Sequence, residues 1–301
     1  MPVEHFLPKN RVAAAALIVA AVFFALVLWV PIVQTFAWSF ADKFMFRITW
    51  VGWGNYRRLF TDDPRFIQSI RVTFSYGLMT VPFVVVLSLL LAVVVNSIKN
   101  LAVRGLFTAS YFLAYVVPLV AVAVVWRYMY EPSRLGLFNA ILGLLGLKTV
   151  RWLMDTQTAL ASLAIMGIWK DIGYILVIYL AGLQAIPSVY YEAAQIDGAN
   201  RWNLFRRITL PLLTPTILLA VVLSTLHALM MFTEAYVMTG QSGQVPGGPL
   251  GSTTTLVLLI YQTAFNYQKE GYASAIAVIL FILVAAVTYV QFRLIQMRVE
   301  Y

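Results

Sequence analysis

Six separate stretches of this chain stay apolar for about 20 residues each, long enough at 1.5 Å per residue to cross a bilayer core as a helix. They run near Val12–Phe36, Val72–Val95, Leu106–Trp126, Thr158–Leu183, Leu213–Tyr236 and Tyr272–Phe292. The pattern makes the bilayer the solvent, so each span must satisfy its own backbone hydrogen bonds. A closed barrel would instead show alternating segments of about ten residues. These runs are continuous, and the expected fold is all-α, integral to the membrane, with six transmembrane helices. Composition agrees: 61% of the 301 residues are apolar and 11% charged, too few charges to cover a soluble domain of this length. A cleaved signal peptide competes for the first run, since Thr35-Phe36-Ala37 loosely resembles a cleavage site. Signal-peptide cores are shorter, however, and five more spans follow, so it reads as an uncleaved anchor.

The net charge of +9 sits beside hydrophobic spans, where it suits anionic lipid headgroups rather than nucleic acid. The absence of cysteine excludes disulfides, thiol redox chemistry and thiolate metal sites. With only two histidines, His5 and His227, no histidine-rich metal site is expected.

An even number of spans puts both termini on one side. That side carries Lys99, Arg104, Arg201, Arg206 and Arg207 on short segments, but the longer opposite loops are no poorer in basic residues. Only charge density orients the chain with its termini inside. The aromatic stretch after the first span, with Trp38, Trp50, Trp53 and Tyr56, reads as a membrane-interface belt. The Gly/Pro cluster Gly240 to Gly251 reads as irregular loop. Three parts follow. Residues 1–71 hold a cytosolic tip, the first anchor and an extracytoplasmic loop. Residues 72–293 form a five-helix core containing the loop 188–211, and residues 294–301 form a cytosolic tail.

The connection between the fourth and fifth spans, Ser188 to Pro211, is no ordinary loop. Ser188 can cap a short helix that contains Tyr191-Glu192-Ala193-Ala194. Gly198 permits a reversal, and a second short helix mixes Trp202, Leu204, Phe205 and Ile208 with Arg201, Arg206 and Arg207. Pro211 precedes the fifth span, where a missing donor is harmless. Physical reasoning alone leaves two readings: a knob that docks a partner, or an amphipathic hairpin lying on headgroups.

Glu192-Ala193-Ala194, three residues, Gly198, nine residues, Ile208, one residue and Leu210-Pro211 resemble the EAA loop of bacterial binding-protein-dependent ABC importer permeases. Ala181–Pro187, Ile196–Ala199, Gly52–Tyr56 and the stretch Ser252 to Phe265 are similar to the carbohydrate-uptake branch, of the maltose-permease F and glycerol-3-phosphate-permease A type. The resemblance spans nearly the whole chain. It implies a type I importer permease fold in the bacterial cytoplasmic (inner) membrane, with the loop and both termini cytosolic. It further implies that the loop is a coupling helix seated in a cleft of an ATP-binding subunit. Glu192 and Gly198 are then the coupling positions, with Ala193, Ala194 and Asp197 packing around them. The partners implied are a second homologous permease, two ATP-binding subunits and an extracytoplasmic solute-binding protein. No Walker A pattern occurs, so the chain is read as non-catalytic, with ATP and Mg held by the ATPase and no cofactor of its own.

Lys170 and Asp171 fall near the middle of the fourth span, about 18 Å from either end. Ionisable groups at that depth face a cavity or a partner. Gly167, Lys170, Asp171 and Tyr174 share one helical face, and Ser224, His227, Ala228 and Met231 repeat the spacing on the fifth span. Two polar stripes at matching depth suggest a lined cavity. Lys, Asp, His and Ser would bond hydroxyls, and Tyr174 or Trp169 would carry a ring face. Permeases of the maltose type carry solute contacts on these two spans, which agrees. Lys170, Asp171, Tyr174, Ser224, His227 and Met231 are therefore the candidate substrate residues. Structural bonds to neighbouring spans are the competing role for Lys170 and Asp171.

The function expected is the permease of an ATP-driven importer for a di- or oligosaccharide, with glycerol-3-phosphate or a glycerophosphodiester as alternative solute. The phosphate reading would want clustered cations, and Lys170 is the one candidate. An ion-coupled secondary transporter, using Asp171, His227 and Glu234 as a proton relay, is the other class. Such proteins usually show internal repeats and more spans, and an enzyme would need a nucleophile–base–orienter set that does not stand out.

Overall fold

The computed structural model describes residues 11–44, 47–240 and 245–296. The expected cytosolic tip (1–10) and the end of the tail (297–301) lie outside the described residues, as do His5 and part of the Gly240–Gly251 loop.

In chain order the helices begin with α1 (Arg11–Phe24) and α2 (Val30–Trp38), joined through a π-helical turn, Ala25–Trp29. In that turn the Val30 N–H reaches back to Ala25 O, just before Pro31. Proline has no N–H to give, so the ladder slips by one residue there. A short antiparallel hairpin, β1 (Ala41–Phe44) with β2 (Arg47–Trp50), is the one feature that an all-helical expectation misses. Helix α3 (Gly54–Thr61) precedes α4 (Pro64–Asn96), which at 33 residues starts well before the expected Val72. Next come α5 (Leu101–Val116), α6 (Leu119–Met129), α7 (Leu137–Leu144) and α8 (Ala159–Gln184). They are followed by α9 (Ser188–Ile196), α10 (Arg201–Leu204), α11 (Leu210–Leu229), α12 (Thr233–Thr239), α13 (Leu256–Tyr261) and α14 (Glu270–Gln296).

Four expectations need correcting. The third span is not straight: α5 and α6 meet at 91° across Val117-Pro118. Both residues are extended, with ψ of 134° and 128°, because Pro118 removes a donor and pushes the residue before it out of the helical region. Counted as one broken span, this pair brings the candidate crossings to six; otherwise there are five. The second helix of the 188–211 loop is not a separate rod. It continues from Arg201 through a π turn, Phe205–Thr209, into α11, again immediately before a proline, Pro211. That span stops at Leu229, short of the expected Tyr236, and α12 begins after a break at Met230–Phe232. Finally, Ser188 does not cap α9: Pro187 holds the N-cap position, with no side-chain cap bond.

The chain divides into two compact units. The first comprises residues 1–63 and 260–279. Within it, Asn55 donates to the carbonyls of Ser39 (3.0 Å) and Ala41 (2.9 Å) and so ties α3 to the hairpin. Phe40, Trp53 and Tyr56 cluster with ring centroids 5.1–5.4 Å apart. Lys43 pairs with Glu270 at 2.6 Å.

The second unit, residues 64–259 and 280–301, packs α8 at its centre against α4, α5 and α11. One core cluster contains Val84, Ala92, Ile175, Leu176, Tyr179 and Leu213; the other contains Tyr76, Trp126, Tyr130, Leu163, Met166 and Met231. A Cβ on Gly173 would overlap the Tyr111 carbonyl oxygen, so only glycine lets α5 lie this close to α8. Ser88 Oγ donates to Ile172 O at 3.1 Å, which binds α4 to the same stretch of α8.

Candidate functional site

A cavity of about 660 Å³ opens in the second unit, within the range of small-molecule sites. α4 contributes Tyr76 and Thr80, α8 contributes Gly167, Lys170 and Asp171, and the end of α11 contributes Leu226, His227 and Ala228. Both helix breaks add to the wall: Val117 and Pro118 at one, Met230, Met231 and Phe232 at the other. Irregular backbone at membrane depth is tolerated where it lines such a cavity.

Lys170 has a specific local assignment. Its Nζ donates to the carbonyls of Ala114 (3.3 Å), Tyr115 (3.0 Å) and Val117 (2.8 Å). In an unbroken helix Ala114 would pair with the N–H of residue 118, but that residue is proline and has none. The ammonium, on a residue only 7% exposed, thus collects acceptors that the bend leaves open. This is the structural role that competed with solute binding.

Asp171 turns the other way. Its Oδ1 lies 3.7 Å from His227 Nδ1, within ion-pair reach but beyond a direct hydrogen bond. His227 joins a stack of near-parallel rings: Tyr115 and Tyr174 at 4.5 Å and 12°, with His227 at 5.8 Å from Tyr174 and 6.4 Å from Tyr115. Glu234, at the start of α12, completes the polar lining on that side.

The six candidate substrate residues therefore separate. Lys170, Asp171, His227 and Met231 line the cavity. Tyr174 stands behind Tyr115 and His227 without lining the cavity itself, and Ser224 is buried without lining it. Among the described residues the Ser224 hydroxyl finds no hydrogen-bond partner. Two lining tyrosines escaped the sequence reading. Tyr76 presents its hydroxyl where a Cβ on Gly167 would stand, and Tyr115 presents its ring. The sequence does carry a hint of Tyr115, in Tyr111-Phe-Leu-Ala-Tyr115 three residues before a helix-breaking Pro118.

The second feature is the 188–211 hairpin. Gly198 has φ +77°, a left-handed conformation that costs other residues roughly 1–2 kcal/mol. Ala199 N–H bonds to Ala194 O (2.9 Å), and Gly198 N–H and Asp197 N–H turn back onto Gln195 and Ala193. This six-to-one closure ends α9 in a Schellman motif with glycine at its left-handed position. Asn200 then caps α10 through Oδ1 to the Asn203 N–H, at 2.9 Å. Tyr191 and Thr209 hydroxyls bond at 3.0 Å and clamp the two arms. Glu192, Ala193, Asp197 and Gly198 are exposed and Ala194 is half-buried. Ile196 (87% exposed) and Trp202 (64%) stand beside them. No atom lies within 4 Å of where a Gly198 side chain would begin. Among the described residues no group of three or more potential metal-ligating side chains occurs.

Long apolar helices, two of them broken around a largely apolar cavity that holds a few polar groups, define a multi-pass membrane transport component. Residues 62–301 match the model of the binding-protein-dependent transport system inner membrane component, and the chain belongs to that family. It is 39% identical over 251 residues to the trehalose/maltose transport system permease protein MalF of Thermococcus litoralis, covering 82% of this chain and 80% of that one. It is 38% identical over 258 residues to the probable ABC transporter permease protein YesP of Bacillus subtilis, covering 84% and 79%. The fold is that of a type I ABC importer permease. It superposes with a TM-score of 0.82, at 24% identity and over 96% of both chains, on a bacterial ABC transporter structure involved in importing the acidic polysaccharide alginate.

Proposed function

We propose that the chain is one of two homologous permease subunits of an ATP-driven importer for a di- or oligosaccharide. Its cavity is the solute's passage, and the 188–211 hairpin is its link to the ATPase. The observation that carries this reading is the cavity, which joins a carboxylate, an imidazole and a flat tyrosine ring in one wall of about 660 Å³. Carboxylate and imidazole exchange hydrogen bonds with hydroxyls, and a tyrosine face takes the apolar side of a sugar ring. Asp171 and His227 lie 3.7 Å apart, close enough for one solute hydroxyl beside the pair to reach both. Relatives named for trehalose and maltose, for lactose and for arabinooligosaccharides support the substrate class. With Lys170 committed to backbone carbonyls, no other lysine and no arginine lines the wall among the described residues, which weighs against a glycerophosphate.

In this reading Asp171, His227 and Met231 touch solute, Tyr174 supports Tyr115 from behind, and Lys170 braces the bend. Ser224 contributes packing. Glu192 and Gly198 contact the ATP-binding subunit, with Ala193, Ala194 and Asp197 alongside. That subunit binds ATP and Mg, and this chain holds no cofactor. The hairpin, and with it both termini, faces the cytosol. An extracytoplasmic binding protein delivers solute on the opposite face, and segment 1–71 supplies an extracytoplasmic loop. Residues 72–293 form the translocating core, and 294–301 are a cytosolic tail.

The test is ATP-driven uptake by the complex in proteoliposomes, with a panel of trehalose, maltose, lactose and arabinooligosaccharides. Asp171→Asn and His227→Ala should each cut uptake of the preferred sugar about tenfold, the loss of one charge-assisted bond, with assembly intact. Uptake driven by a proton gradient without ATP would replace this reading with ion-coupled transport.

A further inference from the structure

Several polar groups on the wall of the central cavity already have partners inside the protein. Lys170 is held by three carbonyls, the Thr80 hydroxyl donates to Tyr76 O at 2.9 Å, and Asp171 faces His227. Tyr76 and Glu234 break that pattern.

Tyr76, on α4, is 3% exposed and belongs to a core cluster, yet it lines the cavity. A buried phenol ordinarily finds a partner for its O–H. Among the described residues this hydroxyl has none. α8 makes room for it: the hydroxyl stands where a Cβ on Gly167 would be, and Gly167 lines the cavity as well. The core therefore holds the ring, and the O–H is left to whatever occupies the cavity.

Glu234 comes from a different element, the first turn of α12, directly after the break at Met230–Phe232. It too lines the cavity. Its own backbone N–H is the donor on its carboxylate, and among the described residues it forms no hydrogen bond or ion pair with another residue. Its charge acts on Tyr76, Lys170 and His227, which places it in the same polar cluster. A donor from α4 and an acceptor from α12 thus line one cavity, each lacking a partner side chain. One sugar hydroxyl, which both accepts and donates, satisfies the two together. A solute carboxylate would instead meet Asp171 and Glu234 in a wall whose lysine is tied to carbonyls, and like charges brought together cost affinity.

We propose that Tyr76 and Glu234 form a second hydroxyl-binding subsite, and that with Asp171 they make the cavity selective for uncharged sugars over uronates. The inference rests on the transport reading of the central cavity and deepens it. It adds two solute-contacting residues beyond Asp171, His227 and Met231, and it names the charge class of the solute.

The chain contains no cysteine, so Leu226→Cys on the cavity wall gives it a single thiol. Labelling of that thiol by a small methanethiosulfonate, read on this chain, reports whether solute fills the cavity. The assembled complex is used in nanodiscs without ATP and without binding protein, so the binding protein's own selectivity does not enter. Maltose, trehalose or lactose should slow the labelling. The matching uronate, with a carboxylate in place of a primary hydroxyl, should need at least about tenfold more for the same protection. Tyr76→Phe should raise the half-protecting concentration of the neutral sugar about tenfold, the loss of one hydrogen bond to solute, at an unchanged melting temperature. A tyrosine with only a packing role would leave that concentration where it was. Glu234→Gln should weaken protection by the neutral sugar, strengthen protection by the uronate, and so narrow the gap between them. Equal protection by uronate and neutral sugar in the unsubstituted cavity overturns the proposal. So does protection by the neutral sugar that ignores both substitutions, and in either case the sugar reading stands. If no sugar protects the thiol, the sugar reading itself fails and the subsite with it.

Discussion

The first anchor and α8 are both long enough to cross a bilayer, yet they use their side chains in opposite ways. Between Ala13 and Trp38 the anchor has only Gln34 and Thr35 as uncharged polar residues, and none of its most apolar 18-residue stretch is buried. α8 carries Ser162, Lys170, Asp171 and Tyr174 within its length, and 56% of the corresponding stretch is buried. In water the more apolar helix would be the buried one. In a bilayer lipid solvates apolar side chains, so polarity and small residues mark the helix that faces protein or a cavity.

Four substitutions probe that contrast. Lys170→Met should be the most damaging. It frees three carbonyls at the α5–α6 bend and should cost on the order of 3 kcal/mol or more, given ~1–3 kcal/mol for a buried polar group left unpaired. The readout is the melting temperature of the detergent-solubilised complex, and Lys170→Arg should recover part of the loss. If Lys170→Met melted normally but no longer transported, Lys170 would be a solute ligand rather than a brace. Gly173→Ala comes second, at about 1–3 kcal/mol for overpacking against the Tyr111 carbonyl. It should separate α5 from α8 and widen the central cavity. Gly198→Ala comes third: space is open around it, so only the left-handed backbone strain acts, about 1 kcal/mol. That loss should appear as local hydrogen exchange in α9 rather than as global melting. Val27→Leu on the anchor should be the mildest, within about ±0.5 kcal/mol as for an unconstrained surface position. A large loss there would mean that this stretch packs against protein, and the contrast with α8 would collapse.

The same contrast explains what could be read from sequence. Helix existence and approximate length follow from runs of apolar residues, so five spans fell within a few residues of at least one true end. Bends do not follow from hydropathy: Leu106–Trp126 reads as one span, and its 91° break is visible only in a single proline, Pro118, whose effect depends on what can absorb the freed carbonyls. Lys170 supplies that absorption from another helix, 53 residues or more away. For the cavity, the stripe on α8 carries Asp171 to within 3.7 Å of His227 on α11. Ser224 and Tyr174 share their stripes but lie beyond the cavity wall, because helical periodicity gives a face and not a depth. Tyr76 and Tyr115 were hidden for the opposite reason. Each is an aromatic residue in an apolar run, and only tertiary packing turns it inward. In the hairpin, Gly198 was legible because a left-handed position leaves a residue-type signature. Ser188 was misjudged as a cap because Pro187 already sets an extended φ and ψ ahead of α9.

The most direct measurement of the central claim is ATPase activity of the purified complex in nanodiscs with its solute-binding protein, comparing wild type with Gly198→Asp. One sugar of the panel should stimulate the wild-type ATPase strongly. Gly198→Asp should assemble normally yet lose that stimulation, because it places strain and a charge on the exposed turn between α9 and α10. Full stimulation in the mutant, or the absence of any co-purifying ATPase, would contradict the coupling role of the hairpin.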